Sequence, residues 1–343
     1  MMIDMHAHWR PAEVADALRA RTRDPRIVRN EDGVEVLKAG RMGDAPLGEA
    51  FDDVEFHLSR MDRQGVEVSV LSLLGSFNWI EAQPLDVSGP LCRRVNDRLS
   101  AICEEHPGRF AAFAALPLTD MSAAAAELER ALALPGMIGA QIPGNGFLTR
   151  QDAEAMRPLL EVANRHHAVL FIHHGPRPGD AFPKVAADTD NARRRNGTLD
   201  MQASLSSVMV TLSLTDYLAP YPDATIVVHN LGGNLPYEVE RMDHRCLLDT
   251  PTEELPSSRF RKAKVYVDCN SFGPHAIEAA VRLYGVERIM CGTDGTEFGC
   301  DWTRKAVAEA QIGEAAREQI LHRNAAAMLA RVANTAQRER ATA

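Results

Sequence analysis

Eight short apolar runs, most of them followed by a stretch with helical character, set the fold of this 343-residue chain. Residues 2–7, 67–73, 110–116, 137–142, 168–173, 225–229, 264–268 and 288–294 read as strands. Most are continuously apolar, the pattern expected of strands covered on both faces. Between them, residues 52–64, 88–106, 121–134, 151–166 and 198–218 read as helices. Strands alternating with helices predict a parallel sheet, and eight such units are the number that closes a (β/α)8 barrel. The rival, an open doubly wound sheet, lacks its specific signal, because Gly144-Asn145-Gly146 does not complete a G-x-G-x-x-G turn. The expectation is an α/β chain with one domain over residues 1–334, a distorted TIM barrel, and a tail at 335–343. One insertion interrupts the rhythm after the first strand, over about residues 24–50 near the barrel mouth. Residues 26–30 and 34–38 flank Glu31-Asp32-Gly33 as a β-hairpin, and 40–48 form a loop whose one cation is Arg41.

Charge and composition exclude several function classes. A net charge of −9 argues against a nucleic-acid surface, and the one basic cluster, Arg193-Arg194-Arg195, is too short to overturn that. No apolar segment approaches the ~20 residues needed to span a bilayer. Asp4, His6 and His8 interrupt the apolar start, so it does not read as a signal peptide. Six scattered cysteines without a C-x-x-C pair fit a reduced cytoplasm. Cys269 and Cys291, inside strand-like runs, read as packed thiols. The expected partner is a small molecule, with neither nucleic acid nor membrane involved.

In a barrel, catalytic groups collect where the strands end. Reading those ends gives His6 and His8 on the first strand, His173 on the fifth, His229 on the sixth and Asp294 on the eighth. Alternation along a strand puts His6 and His8 on one face. Nitrogen ligands and a carboxylate, with a position left open for water, suit Zn2+ or a similar divalent ion.

These motifs resemble the amidohydrolase superfamily. The likeness lies in Asp4-Met5-His6-Ala7-His8, Phe171-Ile172-His173, Val228-His229-Asn230-Leu231-Gly232-Gly233 and Gly292-Thr293-Asp294. More narrowly the chain resembles the amidohydrolase-2 branch, which includes aminocarboxymuconate-semialdehyde decarboxylase, isoorotate decarboxylase and related aromatic-acid decarboxylases. The likeness extends to Met61-Asp62-Arg63-Gln64-Gly65-Val66, Ala115-Leu116-Pro117-Leu118 and Asn324-Ala325. It implies metal ligation by His6, His8, His173 and Asp294, an acid/base pair of His229 and Asp294, Zn2+ or Mn2+ as the ion, and a homodimer.

Two departures bear on the chemistry. The branch often has His-x-Gly-Gly or His-Leu-Gly-Gly after the sixth strand, and an ungapped match to the second form puts Asn230 at the histidine position. A slip of one residue in a regular strand would reverse the facing of the side chain, so either His229 or Asn230 holds the place. After the aspartate, where the decarboxylases usually have Tyr-Pro or His-Pro, this chain has Gly295-Thr296-Glu297-Phe298-Gly299. That leaves Glu297 as an extra ligand or acid, or as a plain loop residue.

The substrate pocket is sketched by a few side chains. Phe77 and Trp79, in the loop after the second barrel strand, are placed to stack on a planar acid. Arg41 and Arg177 are cations placed to meet a carboxylate, and Asn230 is a further binding candidate. The leading function is metal-dependent non-oxidative decarboxylation of an aromatic or unsaturated carboxylic acid. The alternative, built from the same residues, is hydrolysis of an amide, lactone or C–C bond by metal-activated water.

Overall fold

All eight expected barrel strands form, and they lie side by side in a single parallel sheet. The computed structural model describes residues 1–24, 26–38, 44–47, 50–74, 80–180, 191 and 194–342. In chain order its strands are β1 (Met2–Trp9), β2 (Arg26–Arg29), β3 (Glu35–Lys38), β4 (Asp44–Pro46), β5 (Val66–Leu73) and β6 (Phe110–Ala114). They continue with β7 (Met137–Pro143), β8 (Val169–His173), β9 (Thr225–Val228), β10 (Val265–Asp268) and β11 (Ile289–Met290). The large sheet runs β1-β5-β6-β7-β8-β9-β10-β11. Where β11 returns to β1, the Met5 N–H donates to the Cys291 carbonyl at 3.0 Å and the Thr293 N–H to the His6 carbonyl at 3.4 Å. With helices outside, this is the expected (β/α)8 barrel.

The barrel interior is packed. Ile3, Met5, Val70, Phe113, Ile138, Val169, Phe171, Val227 and Met290 face one another inside it. Phe113 and Phe171 stack with ring centres 5.2 Å apart and planes 4° apart. Ala325, Met328 and Val332 join the same cluster from the last helix, Asn324–Thr342, which also touches β1, β7 and β11. Arg331 of that helix bonds Thr225, the first residue of β9, so the helix closes the end where strands begin. It takes in residues that sequence alone set apart as a tail.

A β-bulge in β1 aligns this plug with the chemistry above it. Asp4 pairs with Ser69 but Ala7 pairs with Leu71, so β1 carries one extra residue across that interval. Ile3 and Met5 pack inside the barrel, whereas Ala7 and Trp9 belong to the outer layer under the helices. Without the bulge, the phase that sends Met5 inward would send His6 and His8 outward.

Three local details differ from expectation. Asp44–Pro46 is a strand where a loop was expected, and β2, β3 and β4 form a small antiparallel sheet. Pro46 is tolerated there because an edge strand can spare an N–H. The helix expected over 151–166 is two, Arg150–Glu154 and Arg157–Arg165, because Pro158 has no N–H to continue the first and opens the second instead. The helix expected over 198–218 begins with a π-helical stretch, Arg195–Asp200, and its α-helical part, Met201–Ser213, stops short of 218.

Behind β1, the helix Val54–Gln64 buries His57 and Arg60. An Arg60 N–H donates to His57 Nδ1 at 3.1 Å, leaving the imidazole proton on Nε2, which faces the Phe51 carbonyl at 3.3 Å. Burial, with the Arg60 charge beside it, pushes the His57 imidazole down to about 4. The unfolded chain takes up that proton near pH 6.5 and the folded chain only near 4, so acidification between those values favours unfolding. His57 therefore contributes full stability above about pH 6.5 and loses about 3 kcal/mol by pH 4. Denaturant melts of wild type and His57→Gln across this window are expected to show the steeper loss only in wild type. Parallel curves would refute the assignment.

Candidate metal centre

The bulged strand β1 brings two imidazoles to the barrel mouth. Nε2 of His6 and Nε2 of His8 lie 3.3 Å apart. Across the seam, Oδ1 of Asp294 is 3.2 Å from the first and 3.1 Å from the second. His173, the last residue of β8, puts its ring centre 5.1 Å from that of His6 and 5.3 Å from that of His8. One ligand atom from each of these four side chains lies within 4.8 Å of the others. Among the described residues no other such group of His, Cys, Asp or Glu side chains forms.

The donor set fits a divalent cation. Bonds of ~2.0–2.2 Å to a tetrahedral ion imply ligand–ligand separations of roughly 3.3–3.6 Å. The His6–His8 separation sits at the short end of that range, and the two Asp294 contacts, at 3.2 and 3.1 Å, fall just below it. The tautomers also fit. The Ser72 hydroxyl donates its one proton to the Ala7 carbonyl at 3.1 Å, so at 3.0 Å it accepts from His8 Nδ1–H. Nδ1 of His173 is 2.9 Å from the His174 carbonyl, which can only accept. Both rings therefore hold their protons at Nδ1 and leave an Nε2 lone pair for a ligand.

Electrostatics match this arrangement. Burial lowers the His6 imidazole, but the Asp268 and Asp294 carboxylates outweigh it and raise it to about 10. Burial opposes ionisation of Asp294 too, yet hydrogen bonds and charge from His6 and His8 hold it well below the usual carboxylate range. Burial, then the neighbouring His6 and His8, keep His173 well below its ordinary value. The pocket thus attracts positive charge at its centre, which a proton or a metal ion can supply. The Asp294 side chain is 51% exposed while those of His6 and His8 are 1% and 4%, so the site opens on the Asp294 side.

Asp294 sits just beyond β11 in a left-handed conformation, φ 61°, with Gly295 at φ 72°. For a non-glycine residue this costs about 1–2 kcal/mol, and the neighbouring hydrogen bonds hold it in place. Oδ1 of Asp4 accepts from the Thr293 N–H at 3.0 Å and the His6 N–H at 3.1 Å, while the other oxygen pairs with the Thr293 hydroxyl. The Gly295 N–H donates to that hydroxyl at 3.1 Å. One buried carboxylate, pushed up to about 6 by its burial, thereby ties the backbone of His6 to Thr293, the residue before Asp294.

His229 and Asn230 take different directions. Val227 faces the barrel interior and Val228 the outer layer, so His229 continues the strand inward. Its ring stacks on His173 at 4.3 Å, and its Nε2 accepts the His174 N–H at 2.8 Å. A neutral ring then holds its proton at Nδ1, which is buried without a hydrogen-bond partner among the described residues. Burial, then His173 and His6, keep it neutral by holding it well below its ordinary value. Asn230 leaves the strand at φ 53°, and its side-chain oxygen accepts from Asn270 at 3.3 Å.

The remaining sequence candidates lie apart from this cluster or outside the described residues. The Arg177 guanidinium is 3.0 Å from Asp152 and 3.0 Å from Asp180. Glu297 opens the helix Glu297–Glu309 with its side chain 3.5 Å from Arg63. Arg41, Phe77 and Trp79 lie outside the described residues. Sequence reasoning missed Asp4, Ser72 and Asp268, which support the ligands instead of joining them. Asp4 lay within the Asp4-Met5-His6-Ala7-His8 motif and Asp268 closed an apolar strand, whereas Ser72 carried no signal.

Comparison with known proteins agrees with the fold. The family model described as Amidohydrolase (Amidohydro_2) matches residues 3–331. A gamma-resorcylate decarboxylase from a Rhizobium species is 27% identical over 289 residues, covering 80% of this chain and 86% of that protein. The crystal structure of Metarhizium anisopliae IDCase in apo form superposes with a TM-score of 0.80 at 21% identity, covering 98% of each chain. A dihydroxybenzoic acid decarboxylase from Polaromonas, solved with bound manganese and 2-nitroresorcinol, has a TM-score of 0.65 at 21% identity, covering 95% of this chain and 96% of that one. A match running from the second residue of β1 into the last helix leaves no barrel strand outside it, and the chain belongs to this amidohydrolase family.

Proposed function

We propose that this protein is a divalent-metal-dependent, non-oxidative decarboxylase of an aromatic or unsaturated carboxylic acid. The observation that carries the proposal is the convergence of His6, His8, His173 and Asp294 at the mouth of a barrel whose relatives include a gamma-resorcylate decarboxylase. In this reading those four side chains hold the ion. Three imidazoles and one carboxylate favour Zn2+, and the manganese in the Polaromonas structure makes Mn2+ the alternative. Bound there, the ion supplies Lewis-acid polarisation of the substrate's oxygens.

The chain's own residues supply the rest. The open Asp294 side admits the acid, while buried histidines exclude water from the floor. His229 holds a proton at Nδ1 and gives it to the carbon that bears the carboxylate. The bond to the carboxylate then breaks, its electrons return to the ring, and carbon dioxide leaves. The proton consumed comes from water at the open side and reaches His229 through the ionised Asp294 carboxylate as the Nδ1 proton leaves, so the ring ends neutral. Arg41, Phe77 and Trp79 remain sequence-based choices for gripping the carboxylate and stacking on the ring. Arg177, paired with two acids, and Asn230, facing Asn270, would act by shaping the rim. The hydrolytic alternative gains no observation of its own from this geometry.

The expected result is carbon dioxide release from one or more members of a panel of hydroxybenzoates and carboxymuconate-type acids by metal-loaded protein. Hydrolysis products from lactones or aryl amides, without carbon dioxide from the acids, would overturn it. The free state of all six cysteines supports a cytoplasmic location, and among the described residues no helix is long and apolar enough to cross a membrane. A homodimer is the expected assembly. Tyr237, Leu247 and Leu248 on the helix Leu235–Asp249, exposed by 57%, 59% and 63%, are apolar surface such a contact would cover. Sedimentation equilibrium reads this directly, and a monomer at micromolar concentration would contradict it.

A further inference from the structure

Two of the three clustered histidines have their tautomer set by a neutral oxygen, a serine hydroxyl for His8 and a backbone carbonyl for His173. His6 differs. Its Nδ1 faces Oδ2 of Asp268 at 3.3 Å, and the two side chains are 1% and 0% exposed. The contact is off-line for a hydrogen bond, yet neither atom has another partner among the described residues. Two buried polar atoms that face only each other pair by a small ring rotation, because leaving both unpaired costs about 1–3 kcal/mol each.

Asp268 has no freedom to turn away. Its Oδ1 accepts the Asn270 N–H at 2.9 Å and the Asn230 N–H at 3.3 Å, so only Oδ2 remains for His6. Gly292 permits the approach. A Cβ there would come within 2.9 Å of the Asp268 carboxyl carbon and 3.0 Å of His6 Cβ. The Asn230 amide it holds opens the left-handed turn directly after His229, where Asn230 and Leu231 have φ of 53° and 52°. One carboxylate at the end of β10 thus touches the ring of His6 and the backbone that fixes His229.

We infer that Asp268 is a positioning residue that holds His6 in the Nδ1–H form and so directs its Nε2 lone pair at the cation. The inference rests on the proposed role of His6 as a metal ligand. An amide at this position would behave oppositely. In Asp268→Asn the oxygen must stay toward the two backbone N–H groups, so the NH2 takes the place of Oδ2 and donates to His6 Nδ1. The proton then moves to His6 Nε2, the atom that should bind metal.

The test is Zn2+ affinity, read by competition with a chromophoric chelator. Asp268→Asn is expected to bind Zn2+ about 10–100-fold more weakly than wild type, and its metal-free form melts lower only by the lost charge pairing with His6. Asp268→Ala is expected to lose affinity and to melt lower than Asp268→Asn, because the Asn230 and Asn270 amides also lose their acceptor. Unchanged affinity in Asp268→Asn beside tight wild-type binding would overturn the role of Asp268 and leave the metal centre standing. A wild-type protein that binds no Zn2+ would overturn both. The nitrogen-15 imidazole spectrum of Zn2+-loaded wild type gives a reading independent of any variant. His6 is expected to carry metal at Nε2 and a proton at Nδ1, and the reverse pattern would refute the inference.

Discussion

Replacing His173 with alanine is expected to remove metal and turnover together. The substitution deletes one of three nitrogen donors and leaves His6, His8 and Asp294 sharing a pocket cut open on the β8 side. Outer partners of metal-bound histidines cost about 10–100-fold in affinity when removed, so loss of a donor itself should exceed about 100-fold. The barrel should survive, since the interior layer of Phe113, Phe171 and Val227 lies beneath this ring. Elemental analysis after dialysis against a chelator, with circular dichroism on the same sample, separates the two effects. Stoichiometric metal retained by His173→Ala would remove His173 from the proposed ligand set.

The second large effect has the opposite signature. His229→Ala is expected to keep its metal and lose turnover by about 10²–10⁴-fold, the usual contribution of a positioned proton donor. Its ring stacks on His173 by its face, not its edge, and its Nε2 is occupied by the His174 N–H. That is the geometry of a neighbour to the metal, not of a fifth ligand. The variant leaves the His174 N–H without its acceptor, which should cost about 1–3 kcal/mol of stability. Turnover within tenfold of wild type, at equal metal content, would mean that another group delivers the proton.

The barrel was legible because its signal is periodic and repeated. Each apolar run of the barrel, β1 and then β5 to β10, is long enough to be read without knowing its neighbours, and His6, His8, His173 and His229 fall at or near the ends of those runs. Other features depend on contacts between distant residues, which no local pattern encodes. The bulge in β1 appears only as a register shift against β5, and simple alternation would have put Met5 and His6 on opposite faces. Asp294 is reached through a left-handed residue beyond a two-residue strand, so its placement owes more to Asp4 and Thr293 than to β11. The slip from His229 to Asn230 was undecidable from the motif, and the change of φ at Asn230 shows that the extended segment stops between the two.

The junction of the first and last strands has a consequence for the protein's lifetime. Among the described residues, that seam is joined by isolated backbone bonds, the Asp4–Thr293 contacts and the approach of Asp294 to His6 and His8, where every other neighbouring pair of strands has a ladder. A cation held by His8 and Asp294 would clasp residues 286 positions apart and act as a fastener for the weakest joint in the wall. Its contribution to stability would grow with the logarithm of free ion concentration, and the seam would be the first part to open when the ion is withdrawn. Metal starvation would then do more than silence the enzyme: it would expose the molecule to proteases, tying its abundance to the supply of the ion it works with.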